Sequence, residues 1–97
     1  MPKRHKAVYA HSSPLRRFGE RVRALRLARG WSQEKLAGIA ERHPTYVSSI
    51  ERAERNVTVL TIDRLAKALE VDPGVLLTKD AGHVRRQVAR LRRMAAE

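Results

Sequence analysis

The side chains in this sequence that could do chemistry gather between Ser32 and Asn56. They are hydroxyls, amides, one imidazole and guanidiniums: Gln33, Arg42, His43, Thr45, Tyr46, Ser48, Ser49, Arg52, Arg55 and Asn56. A catalytic reading would begin with His43 beside Ser48 and Ser49. It fails, because no third group orients a base and no oxyanion site is discernible. A metal reading fails as well, since His5, His11, His43 and His83 lack ligand spacing. There is no cysteine, which excludes a thiolate ligand, a thiol nucleophile and a disulfide. Nothing suggests a cofactor box, so the chain reads as a non-enzyme without a cofactor. What remains is hydrogen bonding and anion binding, for which hydroxyls and guanidiniums are suited.

The charge balance suggests the partner. The 97 residues hold 21 Lys and Arg against 10 Asp and Glu, a net +11. The excess concentrates toward the ends: Lys3, Arg4 and Lys6 at one, Arg85, Arg86, Arg90, Arg92 and Arg93 at the other. Such a balance favours a polyanion, by phosphate neutralisation and counterion release. An anionic membrane surface and plain solubility are the competing readings. No stretch approaches the roughly 18 apolar residues of a membrane span. The basic N-terminus lacks the apolar region of a signal peptide. The expectation is a soluble, cytoplasmic protein.

The elements that position these groups are all helical. Strict alternation and Asn-Gly or Asp-Gly turns are missing. Residues 1–12 show no period and read as a flexible basic arm. Helix 1 is expected from Pro14 to Arg29, capped by Ser13 and closed by Gly30 in a left-handed conformation. Ser32 caps helix 2, Gln33 to Ala40. His43 caps helix 3, Pro44 to Arg52. Thr58 caps helix 4, Val59 to Leu69, with an apolar stripe of Val59, Ile62, Leu65, Ala66 and Leu69. Asp72-Pro73 opens a short helix 5 ending near Leu77. A sixth helix from Gly82 to Ala95 sets Val84, Val88 and Leu91 on one side and five arginines around the rest. Trp31, Leu36, Val47, Ile50, Ile62, Leu65 and Leu69 are the core candidates. Only Glu41 to His43 separate helices 2 and 3, which forces a steep crossing and leaves the outer face of helix 3 free.

The stretch from Leu15 to Leu77 resembles the phage-repressor (lambda-repressor-like, XRE-type) DNA-binding domain. The telling pieces are RxxRGWSQEKLA, TYVSSIERAERN and IDRLAKALEVDP. The segment is similar in flavour to controller proteins of restriction-modification systems and to small prophage regulators. The resemblance implies an all-α, five-helix domain over residues 13–78, with residues 79–97 adding the basic sixth helix. Three positions depart from the family: Glu41 and Ala53 stand where glycine is usual, and Arg42 where an apolar residue is usual. A non-glycine residue in a left-handed turn costs about 1 kcal/mol, so a longer or reshaped turn is expected at Glu41. Pro44 also replaces a common arginine.

The resemblance assigns roles by matching position. Helix 3 would enter the major groove with Pro44, Thr45 and Ser49 toward base edges, and Ser48 and His43 adjacent. Gln33, at the N-terminus of helix 2, would bind a phosphate and brace helix 3. Arg42, Arg52, Arg55 and Asn56 would meet the DNA backbone. Tyr46 either donates to a phosphate or belongs partly to the core. Arg26 and Glu51 would form a structural ion pair between helices 1 and 3. The reading surface lacks Arg and Gln at its main positions, so DNA shape would carry part of the specificity. Lys3, Arg4 and Lys6 either enter the minor groove or form a solubilising tail.

The resulting expectation is a homodimeric transcriptional regulator on an inverted-repeat operator, dimerising through helix 5, the end of helix 4 and helix 6. Two alternatives remain: a DNA-binding antitoxin whose C-terminal segment, 79–97, binds a protein partner, and an interaction module that keeps the fold without reading DNA. The sixth helix extends the core, joins a dimer contact or lies on phosphates.

Overall fold

Short capping signals cut the chain into helices, and the computed structural model, which describes residues 11–96, has six of them among those residues. They are α1 (Ser13–Ala28), α2 (Gln33–Ala40), α3 (Pro44–Glu51), α4 (Val59–Leu69), α5 (Pro73–Leu77) and α6 (Ala81–Ala96). Lys3, Arg4 and Lys6 lie outside the described residues. Ser32 and Thr58 cap α2 and α4 by accepting from Lys35 N and Thr61 N. Asp72 does the same for α5 through Gly74 N. At α1 the cap is Ser12, which accepts from Leu15 N, and Ser13 falls inside the helix. Asp80, at the start of α6, accepts from Gly82 N and His83 N, which moves that helix start to Ala81.

Four helices stop in the same way. After α1 the Trp31 N–H reaches Arg26 O, after α2 Arg42 reaches Ala37 O, after α3 Glu54 reaches Ser49 O, and after α4 Val71 reaches Ala66 O. Each bond spans a left-handed residue in a Schellman motif. The first is Gly30, at φ 73°, as the sequence suggests. The others are Glu41, Ala53 and Glu70, at φ 56°, 56° and 59°. The expected reshaping of the turn at Glu41 does not occur: the backbone keeps the glycine-like geometry and a glutamate carries the strain.

The core forms where α1 meets every helix but α2, with α2 closing on α3 and α4. Phe18, Val22, Leu25, Leu36, Val47, Ile50, Leu65, Leu69, Leu76 and Leu91 are buried. Each large side chain so buried contributes about 1.5–3 kcal/mol. Trp31 and Ile62 are only partly buried against this cluster. Val59 leaves the expected stripe: it is 80% exposed, and Thr61 is buried instead. The face of α4 that meets the core is centred on Leu65, and Val59 lies well off it. α6 packs along α1 and touches α5, with Val84 and Leu91 buried.

Because Glu70 is exposed and its ion pair with Arg29, at 3.7 Å, is open to solvent, Glu70→Gly should release the left-handed strain. The expected gain is about 1 kcal/mol, or roughly 4–8 °C in Tm, read by thermal denaturation. An unchanged or lower Tm would show that the turn is not strained.

Candidate nucleic-acid interface

One carboxylate fixes the end of α3. Glu51 accepts from Arg26 Nε at 2.7 Å and from Arg26 Nη2 at 2.9 Å, a bidentate pair between α1 and α3. Gln33 Nε2 donates to the same carboxylate at 3.1 Å, which brings in the first residue of α2. Arg26 Nη1 donates to Trp31 O at 2.8 Å, which ties down the connection between α1 and α2. The side chains of Arg26 and Glu51 are 8% and 3% exposed. The bond to Glu51 holds the Arg26 guanidinium above its ordinary pKa, against the opposing effect of burial. The expected structural pair is therefore present, and Gln33 takes the bracing part of its expected role.

Gly19 completes this support, a role that the sequence reading did not assign. A Cβ there would stand 2.4 Å from Ile50 O and 3.0 Å from Glu51 O. The backbones of α1 and α3 touch at that point, and any side chain would push the last turn of α3 away. The available signal was a glycine in the middle of a helix, which is costly without a packing reason.

On the opposite side α3 presents its polar groups. His43 caps the helix by accepting from Thr45 N at its Nδ1, 3.1 Å away. His43 and Thr45 are exposed, and Pro44 and Ser48 are half-buried. Thr45, Ser48 and Arg52 follow one another at spacings of three and four, so they share one face. Ser49 does not join them. It is 7% exposed, and its hydroxyl donates to Tyr46 O at 2.9 Å, so the expectation of a base contact is corrected to an internal brace.

Of the two roles expected of Tyr46, the geometry shows the packing one. The ring packs against the core and its hydroxyl lies 3.5 Å from the Thr61 hydroxyl. The Arg55 guanidinium sits 4.3 Å from the ring centroid and that of Arg42 5.9 Å. A single aromatic ring thus anchors two cations beside α3. Arg42, unusual at its position, is accommodated because the ring offers it a surface. Arg52 is more committed: it pairs with Glu54 at 2.8 Å and donates to Ser48 Oγ. The hydrogen bond to Glu54 raises its pKa above the ordinary value. Asn56 accepts from Val57 N at 2.9 Å, which shapes the loop after α3.

Two short helices packed on each other, a left-handed turn between them and a polar outer face on the second are the parts of a helix-turn-helix. A family model described as a helix-turn-helix domain matches residues 17–78. The chain belongs to that family. It is 49% identical over 61 residues to Control protein C.BamHI of Bacillus amyloliquefaciens, covering 62% of this chain and 75% of that protein. It is 50% identical over 62 residues to Control protein C.SmaI of Serratia marcescens, covering 64% and 74%. The restriction-modification controller protein C.AhdI from Aeromonas hydrophila superposes with a TM-score of 0.66 at 42% identity, over 68% of this chain and all of that one. The controller protein C.Esp1396I gives a TM-score of 0.66 at 29% identity, over 82% and 99%.

The Glu51 hub generates a direct prediction. Arg26→Met should cost about 3–5 kcal/mol by leaving Glu51 buried without its counter-charge. The double variant Arg26→Met with Glu51→Leu should recover most of that loss, as read by urea denaturation in a double-mutant cycle. Strictly additive losses would mean that the two side chains act separately.

Proposed function

We propose that the protein is a DNA-binding transcriptional regulator of the controller type, which reads a duplex through α3 as a homodimer on an inverted repeat. The observation that carries this is the outer face of α3. His43, Pro44, Thr45 and Ser48 lie on a helix flanked by two cations held on Tyr46, and its far end is locked by Glu51. Thr45 and Ser48 would meet base edges, and the Thr45 methyl suits a thymine methyl. Arg42 and Arg55 would take phosphates beside it. Gln33, at the start of α2, keeps donor capacity for a phosphate beyond its bond to Glu51. Arg52, already shared with Glu54, contributes less. The relatives are control proteins rather than enzymes, which supports a regulatory function.

Dimerisation is supported by surface left over from the core. Leu60 is 76% exposed and Val59 80%. Leu60 borders an open groove of about 480 Å³ with Ile39 between α2 and α4, next to Asp63, Arg64 and Lys67. Within α4 the exposed apolar side chains therefore lie at its start. At its end Ala68 and Leu69 are buried, and in α5 Leu77 is the exposed large apolar side chain, which favours the start of α4 over its end as the contact. A two-fold pairing would set the two copies of α3 about 34 Å apart, one turn of duplex.

Selection of binding sites from random duplex DNA near physiological salt tests the reading, and an inverted repeat is the expected product. Recovery of no motif would sink it. Thr45→Ala should relax preference at one base position, whereas Gln33→Ala should weaken all sites alike. Identical profiles would refute that division of labour. Leu60→Glu should give a monomer by sedimentation, and a variant that remains dimeric would remove α4 from the interface.

A further inference from the structure

α6 lies beyond the matched family segment, residues 17–78, and its chemistry differs from the rest of the chain. Arg85, Arg86, Arg90, Arg92 and Arg93 are all exposed, and no acidic residue falls between Ala81 and Ala96. Val84, Val88 and Leu91 turn inward. The arginines fill the other side of the helix around the small, exposed Ala89. Among the described residues Arg85, Arg92 and Arg93 enter no ion pair, while Arg86 is only 3.9 Å from Asp80. Arg86, Arg90 and Arg93 repeat at spacings of four and three, where like charges repel. A surface that sustains this repulsion gains when phosphates approach it. Guanidinium, the cation chosen at all five positions, forms paired bonds to phosphate oxygens.

The placement of α6 separates this surface from α3. On α1, Gly19 meets Ile50 O and Arg26 meets Glu51, so these residues mark the side facing α3. Arg17 and Arg21 lie about 160° around the helix from Gly19. They donate to the carbonyls of Leu77 and Thr78, just before α6, and share a surface pocket with Ala81. At its other end α6 reaches Glu70 O through Arg90, at 3.4 Å, near the place where Arg29 binds Leu69 O. α6 therefore runs beside α1 on the side turned away from α3. The apolar side of α6 is used against the core, so it is not available for insertion into a lipid surface.

From this arrangement we propose that α6 is a second phosphate-binding surface, which takes the backbone of another duplex DNA segment while α3 occupies the first. The protein would bridge two duplexes, or two stretches of one. This rests on α3 binding a duplex, as proposed above, but not on how α3 reads sequence. The test uses the full chain and random-sequence duplex, on which sequence preference has no bearing. Protein bound to an immobilised duplex should capture a second, labelled duplex. The triple variant Arg85→Gln, Arg92→Gln and Arg93→Gln should lose about tenfold or more of that capture, while binding of a single duplex persists. The salt dependence of capture should fall by about 2.7 in log–log slope, the value for three lost phosphate contacts. An unchanged melting curve would show that the variant stays folded, as expected for exposed side chains. Capture and slope equal to wild type would overturn the proposal. So would a loss confined to single-stranded RNA or to phosphatidylserine vesicles, with duplex capture intact.

Discussion

The structure depends on a carboxylate that water barely reaches. Glu51 takes three hydrogen bonds from two side chains, and these come from α1 and from the start of α2. A buried charge is tolerable only when its partners are complete. The requirement is met by one pose of α3 relative to α1 and α2. The close backbone contact at Gly19 narrows that pose further, since it forbids any side chain between the two helices. The domain thus spends buried polar groups on orientation, and the outer face of α3 inherits a fixed aim.

Around that hub, arginines are used in two distinct ways. Arg21, Arg29 and Arg90 fold back onto carbonyls at the ends of α5 and α4, where they satisfy groups the helices leave open. Burial lowers the pKa of Arg21, helped by its neighbour Arg17, yet a guanidinium so placed stays charged. Arg42 and Arg55 instead ride on an aromatic ring beside α3. The net charge of +11 therefore overstates the cations available to a partner. Part of it is structural.

Much of the architecture was legible in the sequence, because it rests on local rules. Ser32, Thr58 and Asp72 cap where their positions suggest, and α2, α4 and α5 have the expected bounds. The Arg26–Glu51 pair was legible only through resemblance, since nothing local links residues 25 apart. What was missed depends on tertiary contact. Ser49 looks like an outward hydroxyl, yet it is buried and bonds back to Tyr46 O. Val59 fits a helical stripe, yet the face that meets α1 and α2 is centred elsewhere. Glu41 suggested a longer or reshaped turn, but the left-handed geometry is kept there. The strain amounts to about 1 kcal/mol, small beside the burial of a single leucine.

The cap on α3 has a consequence for what can be read. His43 accepts a hydrogen bond at Nδ1. That nitrogen carries no hydrogen, so the neutral ring is held in the tautomer with its hydrogen on Nε2. As long as the helix is capped, the imidazole offers DNA a donor and no acceptor. It can address guanine O6 or N7, adenine N7 or thymine O4, and it cannot accept from the amino group of cytosine. The residue that starts the helix thereby filters the alphabet available to it.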